Sequence, residues 1–133
     1  MFETAKHKAT LLQAFSDCFD PMRSDLGNVH PRMRQSRYIT ASILGVCRGY
    51  ADSHQINEKI FNLLVDSVFE EVFRSESITM QSKTETWLQS DDKDFMTVYY
   101  EAKARTHSEL DLSWLSEYAQ ASFKKARTLQ HPL

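Results

Sequence analysis

Glycine and proline are scarce in this sequence of 133 residues, which contains three of each. Average usage would supply about 7% glycine and about 5% proline. Proteins built from many strands need these residues in their turns, so the scarcity disfavours a β-sandwich or a barrel. The 41% hydrophobic and 26% charged residues are typical of a globular chain. We expect one helical domain over residues 1–133, long enough to bury roughly two-thirds of its unfolded surface.

The sequence also lacks long apolar runs and has only two cysteines. Its longest uncharged run, residues 38–47, is far shorter than the roughly 20 residues that span a bilayer. The N-terminal residues do not show the apolar stretch and cleavage site of a secretory signal. Cys18 and Cys47 are flanked by apolar neighbours, so we expect them to be reduced and buried. The predicted location is the cytoplasm, with no membrane association.

Motifs for catalysis and cofactor binding are missing as well. The five histidines form neither His-x-x-x-His nor Glu-x-x-His, the spacings that build metal sites on helices. Neither a Gly-x-Ser-x-Gly elbow nor a glycine-rich phosphate loop is present. A surface ion pair explains His54 with Glu58, and helix capping explains the cluster of Asp91, Asp92 and Asp94. The sequence therefore predicts no enzyme activity, no metal and no cofactor.

Apolar residues recur at the spacings of three and four that are typical of helices. The pattern predicts an all-α bundle of five or six helices, which begin near Glu3, Pro31, Ser53, Ser82, Ser90 and Ser108. Two of them, about residues 38–50 and 56–73, are apolar around much of their circumference and are predicted to be the inner helices. A strand over residues 63–69 is disfavoured by the length of the apolar run. Residues 130–133 are expected to be a frayed tail.

The first predicted inner helix contains two glycines, each at a cost of about 1 kcal/mol relative to alanine. Gly45 and Gly49 align with Ala41 at steps of four residues, so one face of this helix carries only small side chains. Such a face allows another backbone to approach closely. We expect self-association as a homodimer through this face, or through Trp87 and Leu88 on a short helix. For Trp87 the default interpretation is burial in the core with a hydrogen-bonded tip, and a groove or dimer contact at Trp87 and Leu88 is the alternative.

Basic residues concentrate near the start of the second predicted helix. The cluster comprises Arg23, Arg32, Arg34, Arg37 and, farther along, Arg48. Positive charge at a helix N-terminus opposes the helix dipole, at a cost of about 0.3–1 kcal/mol per residue. Acidic residues of the same chain are one candidate to offset this cost, for example Asp66, Glu70 or Glu101. The other candidate is an external anion, because arginine binds phosphate and carboxylate groups equally well.

A short corner of the sequence has a family resemblance. Residues 45–52 read Gly-Val-Cys-Arg-Gly-Tyr-Ala-Asp and are followed by Ile56 and Glu58. This stretch resembles the helix–Ala-Asp–helix corner of tellurite-resistance TerB-like helical domains. It departs from that pattern at Ser53, where those domains usually carry glycine, and in its longer spacing to Ile56. The resemblance implies a helical corner at this position and assigns no functional residue.

These observations favour a non-catalytic protein-binding module, such as an adaptor, an assembly or secretion chaperone, an immunity protein or a small regulator. The alternative is a nucleic-acid-associated regulator that uses the basic cluster around residues 23–37. A net charge of −2 would make its general affinity for nucleic acid weak. A third interpretation is an enzyme or ligand carrier with a pocket between the inner helices. A protein partner is expected under the first interpretation, and the sequence does not identify it.

Overall fold

The computed structural model describes residues 2–123 and contains six α-helices in this range. The helices are α1 (Phe2–Phe19), α2 (Arg37–Ser53), α3 (Glu58–Phe73), α4 (Ser77–Gln89), α5 (Lys93–Thr106) and α6 (Ser113–Ser122). Short 3₁₀ turns occupy Asp20–Met22, Pro31–Gln35 and Arg74–Glu76. No strand occurs within residues 2–123, so the predicted all-α bundle of five or six helices is confirmed. The predicted tail at residues 130–133 lies outside the described range.

Helix α2 is surrounded by the other helices. It contacts α3, α4, α5 and α6, and twelve of its 17 residues are buried. Helix α3 differs, because six of its 16 residues are buried and the rest include an exposed strip. That strip contains Lys59, Asn62, Leu63, Asp66 and Glu70. Helix α3 is therefore amphipathic, with one side against the core and one side facing solvent.

The small-residue face of α2 packs against α5 of the same chain. A Cβ atom built on Gly45 would lie 2.8 Å from the Cβ atom of Ala102, and one built on Gly49 would lie 2.5 Å from the carbonyl oxygen of Lys103. Ala41, on the same face, is fully buried. The predicted close approach of a second backbone to this face is present. That backbone belongs to α5 of the same chain and not to a second copy of the protein. The homodimer predicted through Ala41, Gly45 and Gly49 is corrected accordingly.

Helix α2 begins later than predicted. The basic segment Pro31–Gln35 forms a separate 3₁₀ turn, and Ser36 is extended, so its side chain caps α2 by accepting a hydrogen bond from the Ile39 amide at 3.1 Å. Arg32 and Arg34 therefore lie before α2, and Arg37 is its first residue.

Three further helix starts also differ from the predicted positions. Helix α2 continues to Ser53, so Asn57 caps α3 through its Oδ1 atom, which accepts from the Ile60 amide at 2.9 Å. Helix α4 begins at Ser77 instead of Ser82, and α6 begins at Ser113 instead of Ser108. The predicted cap of α5 is confirmed, since the Asp92 carboxylate accepts from the Phe95 amide at 3.0 Å.

Among the described residues, no helix combines the length and the apolar character that crossing a membrane would require.

Candidate functional site

Arg23, the first residue of the predicted basic cluster, is a buried structural residue. Its side chain is 6% exposed and forms an ion pair with Asp20 at 2.7 Å. Its guanidinium also donates to the carbonyl oxygens of Glu71 at 2.6 Å and Val72 at 3.1 Å. These carbonyl oxygens belong to the last turn of α3, where no backbone amide of the same helix is available to donate to them. Arg23 therefore ties the segment after α1 to the end of α3.

Two other arginines near the start of α2 are also paired within the chain. Arg34 lies 3.7 Å from Glu76, and Arg37 lies 2.7 Å from the carboxylate of Asp92. The hydrogen bond to the Phe95 amide and the one from Arg37 lower the pKa of Asp92. None of the acids expected to offset the cluster, Asp66, Glu70 or Glu101, is a partner of these arginines.

Arg32 is the exception in the cluster. It is exposed, and no ion pair joins its guanidinium to any residue between positions 2 and 123. Its backbone amide donates to Nδ1 of His30, which caps the 3₁₀ turn. The structure therefore leaves one guanidinium of the predicted cluster available to an external anion.

Arg48 and Leu88, which the sequence analysis placed in different predicted surfaces, line the same groove. This α3–α4 groove is lined mostly by α3 and α4, includes residues of α2 and α5, and encloses about 510 Å³. Its apolar and aromatic lining consists of Leu44, Phe61, Val65, Phe69, Leu88 and Tyr99. Leu88 is 38% exposed, whereas its neighbour Trp87 is partly buried and packs 6.0 Å from the ring of Phe95. Trp87 thus contributes to the core, and Leu88 contributes to the groove.

One end of the α3–α4 groove holds a close ion pair. The guanidinium of Arg48 donates two hydrogen bonds to the Glu58 carboxylate, at 3.1 and 2.9 Å, and lies 3.7 Å from the ring centre of Phe61. The hydrogen bond from Arg48 lowers the pKa of Glu58, and the same bond raises the pKa of Arg48. The predicted ion pair of Glu58 with His54 is not formed, because the carboxylate of Glu58 accepts both hydrogen bonds from Arg48. The positive charge of Arg48 is therefore already matched.

Two further carboxylates line the groove, Asp66 from α3 and Glu85 from α4. No ion pair joins either of them to a cation in the described part of the chain, although Glu85 accepts a hydrogen bond from Gln89 at 3.1 Å. With Arg48 and Glu58 matched to each other, the groove carries an uncompensated charge of −2. The groove thus combines an apolar lining with a negative charge.

No family model matches the chain, and no curated protein or solved structure matches it either. The corner that resembles TerB-like domains is present as a helix–turn–helix corner, between the end of α2 and the start of α3. Gln55 adopts the left-handed conformation there, with φ 55°. The Ile56 amide donates to the Ala51 carbonyl at 2.8 Å, which closes a Schellman motif.

A second cluster, which the sequence analysis missed, joins α1 to the end of α2. Nδ1 of His7 lies 2.6 Å from the hydroxyl of Tyr50, and the ring of His54 stacks on Tyr50 at 4.1 Å. Burial raises the pKa of Tyr50 despite a hydrogen bond with Thr10. His7 and Tyr50 are 43 positions apart, so no local spacing in the sequence relates them. The three rings line a polar cleft of about 550 Å³.

A larger cleft of about 800 Å³ runs between α1 and the segment that leads into α6. Its lining includes three acidic side chains, those of Asp17, Glu109 and Asp111. The hydrogen bond from the amide of Ser113, the first residue of α6, lowers the pKa of Asp111. The described residues contain no group of three or more histidine, cysteine or acidic side chains placed to hold a metal. Asp17 and Asp111 each accept a hydrogen bond within the chain, from the side chain of Gln13 at 2.7 Å and from the Ser113 amide at 2.9 Å.

Both cysteines are free and buried, in agreement with the sequence analysis. Burial raises the pKa of Cys18 to about 12 and that of Cys47 to about 12. Because the thiolate is the reactive form, neither side chain is nucleophilic near neutral pH.

Proposed function

We propose that this chain is a non-catalytic protein-binding module and that the α3–α4 groove is its contact surface. The observation that carries the proposal is the exposure of Leu88, 38%, in a groove whose apolar lining also includes the partly buried Val65 and Tyr99. Apolar side chains that remain accessible in a concave surface are typical of sites where a partner helix or peptide binds.

The spacing of the lining residues supports the binding of an elongated partner segment. On α3 they recur from Glu58 to Phe69 at steps of three and four, and on α4 from Gln81 to Gln89 in the same way. The α3 stretch alone covers about 16 Å along the helix axis. That length matches about three turns of a partner helix, whose apolar residues would repeat at the same steps.

The chemistry of the described side chains supports a binding role over a catalytic one. The two thiols are buried and protonated near neutral pH, as their raised pKa values require. The state of these cysteines also supports the proposed cytoplasmic location, where thiols stay reduced. Four of the five arginines proposed to bind an anion are occupied by carboxylates of the same chain. A nucleic-acid role through residues 23–37 is therefore not favoured.

The proposal is tested by selecting helical peptides from a displayed random library on the immobilised chain. The affinity of each selected peptide is then measured for the wild type, for Leu88→Glu and for Ile78→Glu. Ile78 is 82% exposed and lies outside the groove, so Ile78→Glu is the matched control for an added charge on α4. We expect Leu88→Glu to weaken binding at least about tenfold, because it removes one buried leucine contact. We expect Ile78→Glu to leave the affinity unchanged. Selected peptides that bind both variants like the wild type would contradict the proposal.

A further inference from the structure

We propose that the natural occupant of the α3–α4 groove is a positively charged amphipathic helix of a partner protein. This inference rests on the proposed function, because it names the partner class for the same groove. It is carried by the joint presence of an apolar lining and two carboxylates, on Asp66 and Glu85, that no cation of the described chain neutralises.

The placement of the charges within the groove favours a helix with lysine or arginine beside its apolar stripe. Asp66 follows Val65 and Glu85 precedes Leu88 by one helical turn, so each carboxylate lies next to an apolar contact point. On an amphipathic helix, residues three or four positions apart share a face, so a basic residue can follow the apolar stripe at the same spacing. The bound helix would therefore present apolar and basic side chains to the groove together.

The Arg48–Glu58 pair limits the alternatives for the occupant. Arg48 would attract an acidic helix if its charge were free, but Glu58 holds it through two hydrogen bonds and Asp52 lies 3.8 Å away. An acidic partner would therefore meet the carboxylates of Asp66 and Glu85 without a free cation to compensate them. Like charges placed in contact across an interface disfavour binding.

The test uses three synthetic helical peptides of about 14 residues, long enough to cover the groove. All three carry the same leucine stripe, and their flanking positions are lysine, glutamine or glutamate. Fluorescence anisotropy measures their affinity for the full chain at low salt and at 0.5 M salt. Two exposed charge pairs contribute a factor of about ten, so we expect the lysine peptide to bind about tenfold more tightly than the glutamine peptide at low salt. Salt should reduce this preference, because exposed charges are screened.

Two double variants separate a local effect from the net charge. Asp66→Asn with Glu85→Gln removes both groove carboxylates, and Asp94→Asn with Glu117→Gln removes two exposed carboxylates outside the groove. We expect the first variant to lose most of the tenfold preference and the second to keep it. Equal binding of the lysine and glutamine peptides, or an equal loss in both variants, would overturn the inference.

The failure of the inference and the failure of the proposed function give different results. If the glutamine peptide binds as tightly as the lysine peptide and Leu88→Glu abolishes both, the groove binds helices and only the charge assignment is overturned. If Leu88→Glu weakens the binding of none of the peptides, or if no peptide binds the wild type, the proposed function fails as well. A dimer of the free chain that Leu88→Glu dissociates, seen by sedimentation, would make a second copy the occupant and would also overturn the inference.

Discussion

The carbonyl oxygen of Tyr99, on α5, occupies the space that a Cβ atom at the position of Gly45 would need. A larger residue at this position of α2 could not fit without moving the backbone of α5. The contact explains why a residue that costs about 1 kcal/mol in a helix is placed near the middle of the most buried helix.

Gly45→Ala is expected to destabilise the chain although alanine is the better helix former. The new methyl group would contact the backbone of α5, and overpacking of this kind costs about 1–3 kcal/mol. Because the gain in helix propensity of about 1 kcal/mol offsets part of this cost, we expect a net loss of up to about 2 kcal/mol in the free energy of unfolding, measured by urea denaturation. A gain of about 1 kcal/mol, as helix propensity alone would give, would show that the two helices are not in close contact.

Arg23→Ala is expected to lower the free energy of unfolding by about 2–4 kcal/mol. The substitution removes a buried guanidinium that satisfies two carbonyl groups at the end of α3, and losses of this type fall in that range. Arg32→Ala is the matched control, because Arg32 is exposed and its change should stay within about 0.5 kcal/mol. Similar urea midpoints for the two variants would contradict this account of Arg23.

His30→Asn is expected to reduce the loss of stability between pH 7 and pH 5. Burial, together with the charge of Arg32, lowers the pKa of His30 in the folded chain. The unfolded chain therefore takes up this proton first, near its ordinary pKa of about 6.5, and stability falls as the pH decreases below that value. Protonation would also remove the acceptor that Nδ1 offers to the Arg32 amide.

Asparagine at position 30 can still cap the turn but does not titrate. The comparison is made from urea midpoints of the wild type and the variant across this pH range. Parallel pH profiles would show that His30 does not contribute to the acid sensitivity.

Gln55→Gly is expected to raise the free energy of unfolding by about 0.5–1 kcal/mol. Gln55 has φ 55°, a left-handed conformation that costs a residue with a side chain roughly 1–2 kcal/mol and costs glycine nothing. Part of this gain is lost to the greater freedom of glycine in the unfolded chain. Gln13→Gly, within α1, should have the opposite sign and cost about 1 kcal/mol. Thermal or urea unfolding that shows destabilisation by both substitutions would contradict the prediction.

Local signals in the sequence predicted the helical bundle and several of its details. Asp92 was recognisable as a cap because an acidic residue precedes an apolar helical pattern, and the side chain caps α5 as expected. Gly45 and Gly49 also indicated a close backbone approach, which is present. The sequence could not identify the approaching helix, because α5 lies about fifty positions away along the chain.

The same local signals failed where one pattern fits two structures. Ser82 and Glu85 have the spacing of a capping box, yet three-residue steps also occur inside any helix, and here both lie within α4. The α3–α4 groove was missed for a different reason. Asp66 and Glu85 look like ordinary solvated acids in the sequence, and only the packing of α3 and α4 brings them to one surface.

The backbone contact between α2 and α5 has a consequence for the proposed binding groove. The backbones of α2 and α5 are in close contact because Gly45 and Gly49 have no side chains there. If α5 slid along α2 by one turn, larger side chains of α2 would clash with the α5 backbone. Leu44 of α2 and Tyr99 of α5 both line the α3–α4 groove, so the contact also fixes their separation. Under the proposed function, a partner helix of the wrong width would fit only if α3 or α4 moved, so the rigid contact between α2 and α5 would select the partner by its size.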